Sequence, residues 1–218
     1  MKHLGTKTIE TERLLLRKTI DTDAEYMFYN WANDARVTKF MTWEPYENAQ
    51  QLRESYHQYL MENRDKLDFY DWKIELKSLG QPVGSIGVTV MREDIEAVEI
   101  GYCLGYDWWH QGIMTEAFEA VIRYLFEEVD VNRIAAHHDP RNPHSGGVMK
   151  KCGLLYENIL INDIKNNSYI KHAVYRDPKT RRLSSFPLKK TSKKADCVQP
   201  QAAPLNCTKY SFCIIVPI

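Results

Sequence analysis

The chain has 218 residues, enough for one sizeable hydrophobic core and short for two. Its 44% hydrophobic and 27% charged residues exclude a disordered or fibrous protein. Lys and Arg number 29 and so do Asp and Glu, and a formal charge of zero argues against a nucleic-acid binder, which carries a basic excess.

That zero joins two unlike parts. From Pro178 to Ile218 there are eight Lys or Arg and one Asp, a net of +7, with five of the nine prolines and three of the five cysteines. Residues 1–177 hold the other 21 basic and 28 acidic residues, a net of −7. The organisation read from this is an acidic domain over 1–177 and a basic, Pro-containing tail over 178–218, disordered or an altered terminus. No cysteine spacing resembles a zinc site, and the start, Met1 to Ile9, has no apolar core of a secretory signal. Reduced thiols in the cytoplasm are expected, with no metal. Cys213 to Ile218 is the longest apolar run at the C-terminus and is too short to span a bilayer.

Leu14–Leu15–Leu16 between Arg13 and Arg17 reads as a first strand. Thr22 and Glu25 have capping-box spacing, and a helix is expected from there to about Trp31. Asn48 can cap a second helix with Leu52, Tyr56, Tyr59 and Leu60 on one face, after an aromatic loop over Thr42 to Tyr46. Tyr70, Trp72, Ile74 and Leu76 alternate with polar residues as in a strand. Turns at Leu79–Gln81 and Glu93–Asp94 then make a three-strand meander with Val83–Met91 and Ala97–Leu104. From Gly112 to Val129 the apolar spacing is helical. A short strand at Arg133–Ala136 follows, then a helix from Pro143 to Cys152 stopped by Gly153. A hairpin of Leu155–Ile164 and Tyr169–Tyr175 ends the series. The order β-α-α-β-β-β-α-β-α-β-β predicts a mixed α/β layer fold with one strand–helix–strand crossover.

Two segments carry candidate chemistry. Trp109 to Ala117 joins a strand to a strong helix, whose first N–H groups and partial positive charge suit a phosphate, with Gly112 allowing close approach. Asn142 and Ser145 open the next helix and can hydrogen-bond a bound chain, while Lys150 or Lys151 can meet phosphates. Each has a plain alternative: an ordinary turn, an Asn cap and two solvated lysines. His137 and His138 are adjacent on a strand, so they face opposite ways and do not share a metal. Trp108 and Trp109 read as packing residues.

Together these segments resemble the GCN5-related N-acetyltransferase (GNAT) family, and within it the RimJ/RimL-type branch. The resemblance covers about Ile9 to Tyr175 and rests on Thr11–Glu12–Arg13–Leu14, Pro82 to Gly87, Glu99–Ile100–Gly101–Tyr102 with Trp109 to Ala117, and Asn142 to Gly153. It implies a GNAT-like, mostly antiparallel sheet flanked by helices, and an acetyl transfer from acetyl-CoA to a primary amine by direct attack in a ternary complex. It carries the pyrophosphate loop onto His110, Gln111, Gly112, Ile113, Met114 and Thr115. It implies that the pantetheine arm pairs with the strand at Tyr102, Cys103 and Leu104, with Asn142 and Ser145 on its far side, and Lys151 joins the co-substrate site at the phosphates. The usual last small residue of the loop is Met114 here, and the usual opening Arg or Gln is Trp109.

An amine attacks a thioester only when neutral, and its ordinary pKa is about 8 for an α-amine and about 10.4 for lysine, so a base helps the second more. Glu99 is the candidate base, acting through a water; the alternative is a surface carboxylate. Backbone N–H near Tyr102 or Cys103 can face the oxyanion. The position at which many members carry a tyrosine acid is Met149, which leaves Ser145 as the candidate near the sulfur. Tyr29, Trp31, Trp43, Glu44 and Tyr46 lie on segments that line the acceptor site in this family. The expected acceptor is a protein N-terminus or a small amine, and a homodimer is compatible with the reading. The alternative function is a non-catalytic acyl-CoA-binding or protein-interaction module. Nucleic acid is not expected, except weakly through the basic tail.

Overall fold

A computed structural model describes residues 1–165 and 168–176. The tail over 178–218, with its expected disorder and its +7 charge, lies outside the described residues.

The strands are β1 (Ile9–Glu10), β2 (Leu14–Arg17), β3 (Asp71–Leu76), β4 (Gln81–Arg92), β5 (Ala97–Leu104), β6 (Arg133–His138), β7 (Leu155–Lys165) and β8 (Ser168–Arg176). The helices are α1 (Asp23–Met27), α2 (Ala35–Thr38), α3 (Ala49–Asn63), α4 (Ile113–Tyr124) and α5 (Pro143–Lys151). Wider π-helical turns extend α1 over Phe28–Ala32 and α4 over Leu125–Val129. The eight strands form one sheet in the order β1-β2-β3-β4-β5-β6-β8-β7. Only β5 and β6 are parallel; the crossover between them carries α4. The expected mixed α/β fold is therefore present, with β1 and α2 as additions too short to show a sequence period.

Helices cover both faces of the sheet. On one, α4 packs Phe118 on Tyr102 and Tyr124 on Trp72, with ring centroids 5.3 and 5.7 Å apart. On the other, Tyr56 of α3 reaches Asp71. Both sets of residues in β3 are consequently buried: Trp72 and Ile74 at 0% exposure, but also Asp71 and Lys73 at 9% and 1%. The polar–apolar alternation of β3, which ordinarily marks one solvated face, marks here two differently lined interiors. Among the described residues no helix is long and apolar enough to cross a membrane.

The Thr22–Glu25 capping box does not form. Thr22 already has helical backbone angles, and its side chain makes no cap hydrogen bond. Asp23, 1% exposed, organises this end instead. Its Oδ2 accepts from Ile20 N at 2.8 Å, and its two oxygens take a bidentate pair from Arg17 Nη1 and Nη2, both at 2.8 Å. Arg17 also donates to Glu75 at 2.6 Å, and these carboxylates hold its guanidinium above its usual pKa. Asn48, by contrast, caps α3 as its position suggests, accepting from Gln51 N at 2.8 Å.

Replacing Asp23 leaves a mostly buried guanidinium with Glu75 as its remaining carboxylate partner. Asp23→Asn should cost about 3 kcal/mol of unfolding free energy, and Thr22→Ala less than about 0.5, in urea titrations. Equal losses would place the helix start back on Thr22.

Candidate active site

The site begins where two strands part. Pairing between β5 and β6 ends at Ile100–Ala136, while β5 runs on to Leu104 and β6, paired with β8 on its other edge from Ala135, runs on through His137 and His138. Gly105 N–H points to β4, donating to Val83 O at 2.8 Å. By strand alternation the backbone groups of Tyr102 and Leu104 point the other way, to the open edge. One of them is taken: Trp109 Nε1 donates to Leu104 O at 2.8 Å. That packing tryptophan therefore also holds the loop to the strand end. Leu104 N–H lies on that edge, where an extended chain can pair with it.

On the α4 face of this edge lies a groove lined by Leu104, Trp108, His110, Gly112 to Thr115, Pro143, His144, Gly147, Val148 and Lys151. His110 and Gly112 both have left-handed backbones, at φ 60° and 74°. Glu116 N closes the first helical bond on Gly112 O, so Ile113, Met114 and Thr115 begin α4 with amides outside its ladder. A clamp from the turn between β1 and β2 holds this loop. Arg13 Nη1 donates to Gln111 O at 2.9 Å and its Nε to Glu116 Oε2 at 2.7 Å, while Thr11 Oγ1 donates to Glu116 Oε1 at 2.6 Å. Despite some burial, Thr11 and Arg13 keep the Glu116 carboxyl below its ordinary pKa. The Gln111 side chain turns back to Asp107 O and does not line the groove.

Across the groove stands α5. Asn142 is 2% exposed, and its Nδ2 has no hydrogen-bond partner. Ser145 is fully buried, and its Oγ lies 3.0 Å from Tyr102 Oη. Met149 is buried in the core. His144 was not singled out in the sequence; its ring meets that of His110 edge-on at 4.9 Å. Its place after a Pro at a helix start was the available signal. His138 is buried against α5, where a Cβ on Gly146 would lie 2.5 Å from its Nε2. Burial lowers its pKa.

On the opposite face is a second cavity of about 250 Å³. Trp31, Trp43 and Tyr46 line it, as do Tyr56, Tyr59, Phe69, Asp71, Lys73, Ser85 and Cys103. Tyr29, at 71% exposure, and Glu44, also exposed, lie outside this lining. Glu99 shares the sheet face of Cys103, and its Oε2 is 3.8 Å from His137 Nδ1. The separation of His137 from His138 to opposite faces is what sets this contact up. Burial pushes the Cys103 thiol up to about 12. Among the described residues no group of three or more His, Cys, Asp or Glu is placed to hold a metal.

The family description "Acetyltransferase (GNAT) domain" matches residues 13–155. The chain belongs to the GNAT acetyltransferase family. An uncharacterized N-acetyltransferase, p20 of Bacillus licheniformis, is 31% identical over 156 residues, 71% of this chain and 85% of its own. The ribosomal protein uS5-alanine N-acetyltransferase of Escherichia coli is 36% identical over 64 residues, 29% of this chain and 33% of its own, in keeping with the RimJ/RimL branch. The microcin C7 self-immunity acetyltransferase MccE, solved with acetyl-CoA and AMP, shares the fold at a TM-score of 0.68 and 19% identity, covering 77% of this chain and 93% of its own.

This GNAT enzyme is an acetyl-CoA-dependent acetyltransferase, and its residues fit the co-substrate. The α4 amides and Lys151 suit a pyrophosphate, and the open β5 edge suits the two amides of a pantetheine arm. The unpartnered Asn142 Nδ2 offers that arm a buried donor.

Gly112 gives a direct test. A Cβ there would meet only Arg13 Nη2, at 3.6 Å, so substitution costs backbone strain and little crowding. Gly112→Ala should weaken acetyl-CoA binding about tenfold in calorimetry as the loop relaxes from φ 74°. Gly80→Ala, equally left-handed at φ 62° but in a remote turn, should leave affinity unchanged. Equal affinities for both variants would contradict the loop assignment.

Proposed function

We propose that this chain moves an acetyl group from acetyl-CoA to a primary amine, either a protein N-terminus or a small amine, by direct attack in a ternary complex. One observation carries the proposal. Leu104 lines the groove and Cys103 lines the aromatic cavity. Consecutive residues of one strand thus serve opposite faces at the place where β5 and β6 part. A thioester laid along that edge faces the groove with its carrier and the cavity with its acyl carbon.

The residues then divide the work. His110 and Gly112 to Thr115 hold the carrier's phosphates with Lys151, and Asn142 steadies its arm. Tyr102 N–H, on the open edge, donates to the carbonyl oxygen as negative charge develops there. The attacking amine must first be neutral. Glu99, on the cavity face with His137 beside it, accepts its proton through a water. The Tyr102–Ser145 pair, with its oxygens 3.0 Å apart, is the proton source on the groove side for the departing thiolate. That thiolate needs little help, since an ordinary thiol has a pKa of about 8.5.

Direct attack is favoured over an acyl-enzyme by Cys103 itself. It is the thiol in the cavity wall, and a pKa raised to about 12 by burial keeps it protonated and poorly nucleophilic. Holding two reactants together supplies much of the rate. Single catalytic side chains should therefore have moderate effects.

The test is release of free CoA from acetyl-CoA against a panel of amines. Amine-dependent release is expected, with the peptide holding Cys103 unacetylated after incubation without acceptor. Glu99→Gln should lower kcat/KM at least tenfold near neutral pH and lose part of that deficit as pH rises. Acetyl-CoA binding without release for any amine would favour the non-catalytic module instead.

A further inference from the structure

The aromatic cavity has a charged floor that the transfer step does not use. Asp71 and Lys73 stand two residues apart on one face of β3, with Ser85 of β4 opposite Lys73. Lys73 Nζ donates to Asp71 Oδ2 at 2.9 Å and to Ser85 Oγ at 3.0 Å. An ammonium has three N–H donors, so one is left beyond these two bonds. Asp71 is the reverse case. Its Oδ2 accepts from Lys73, from Tyr56 Oη at 2.8 Å and from Thr19 Oγ1 at 3.3 Å; its Oδ1 accepts from Ser85 Oγ at 3.1 Å. A carboxylate offers about four lone-pair positions, two on each oxygen; Oδ2 is crowded, Oδ1 has one taken, and the charge is matched by Lys73. Burial opposes its ionisation, but Lys73 and the two hydroxyls outweigh that and lower its pKa. Trp43, in the same lining, buries an indole N–H that has no hydrogen-bond partner. The cavity therefore has donors to offer, and its carboxylate already has a cation of its own.

We infer that the acceptor carries, beside its amine, an apolar or aromatic body and a neutral hydrogen-bond-accepting group such as an amide carbonyl, which Lys73 and the Trp43 indole N–H read. The inference rests on the amine-transfer reading above and adds the acceptor's chemistry. Charge balance selects the neutral group. Lys73 and Asp71 already cancel within the floor. A polyamine would bring a further ammonium to a carboxylate whose charge Lys73 already neutralises. A free amino acid would bring a second carboxylate to share one lysine. A buried charge without its own partner costs far more than a buried carbonyl that receives a hydrogen bond. The −7 of residues 1–177 attracts cations in solution, but the cavity floor chooses differently.

Four acceptors sharing or lacking these features separate the possibilities: phenylalaninamide, phenethylamine, phenylalanine and spermidine, with rates expressed per neutral amine. In the intact protein kcat/KM for the amide should exceed each of the others about tenfold or more. The double variant Asp71→Asn/Lys73→Met removes both charges together and leaves only the Trp43 N–H, and in it the ratio of amide to phenethylamine should fall several-fold, through KM. If the double variant fails to fold, Trp43→Phe deletes only the indole N–H. A several-fold fall in the ratio then supports the inference, and an unchanged ratio overturns it. Spermidine or phenethylamine matching the amide overturns the inference while leaving amine transfer intact. If no amine is acetylated, the transfer reading fails, and calorimetry with phenylalaninamide decides this one. Binding that the double variant or Trp43→Phe weakens supports it; no binding to the intact protein overturns it.

Discussion

A parallel strand pair that stops short is the constraint on which this molecule turns. The β5–β6 pairing ends at Ile100–Ala136, while β6 keeps its other edge on β8 from Ala135 to His138 and β5 stays in register with β4 up to Leu104. The strand end keeps a rigid backbone against β4 and turns its other edge away from β6. A strand edge is costly unless something pairs with it. The chain covers the Leu104 carbonyl itself, through Trp109, and the edge lies beside a groove lined on its far side by Pro143, His144, Gly147 and Val148 of α5. Groove, loop and aromatic cavity take their positions from that edge.

The loop is held from outside the crossover. Arg13 and Thr11 lie about a hundred residues before Glu116 in sequence, yet their bonds to Glu116 and Gln111 tie the turn before β2 to the first turn of α4. Two left-handed residues within three positions are strained unless their surroundings over-determine them. The clamp supplies that surrounding from the turn before β2. On the other face, the Asp71–Lys73–Ser85–Tyr56 network does for the aromatic cavity what the clamp does for the loop. Buried charges of this kind add little net stability compared with an apolar core. Their worth here lies in fixing where donors point.

Much of this was legible in the sequence, for identifiable reasons. The helical period of α4 and the turn residues around β4 and β5 are strong local signals, and the elements fall where those signals put them. Asn48 caps α3 because its side chain reaches an amide three residues on. Thr22 has the same spacing and makes no cap bond, because its own backbone is helical and Asp23, paired bidentately with Arg17, takes the Ile20 amide instead. Asp71 and Lys73 were hidden for a different reason. Alternation shows two faces but not that a second helical layer covers the polar one. His137 was set aside as a metal ligand because His138 faces the other way, and that same fact places it beside Glu99. Tyr29 and Glu44 have the residue types of a lining, but their stretches of chain leave them at the surface.

The central claim is that acetyl-CoA lies along the open edge of β5 with its phosphates on the start of α4. Amide hydrogen exchange, followed by NMR with and without a non-reactive acetyl-CoA analogue, measures it residue by residue. The account predicts slowed exchange at Tyr102, Leu104 and Gly112 to Thr115, with the amides of α3 unchanged. Protection confined to α3 and the aromatic cavity, or none at Tyr102 and Leu104 under saturating analogue, would contradict it.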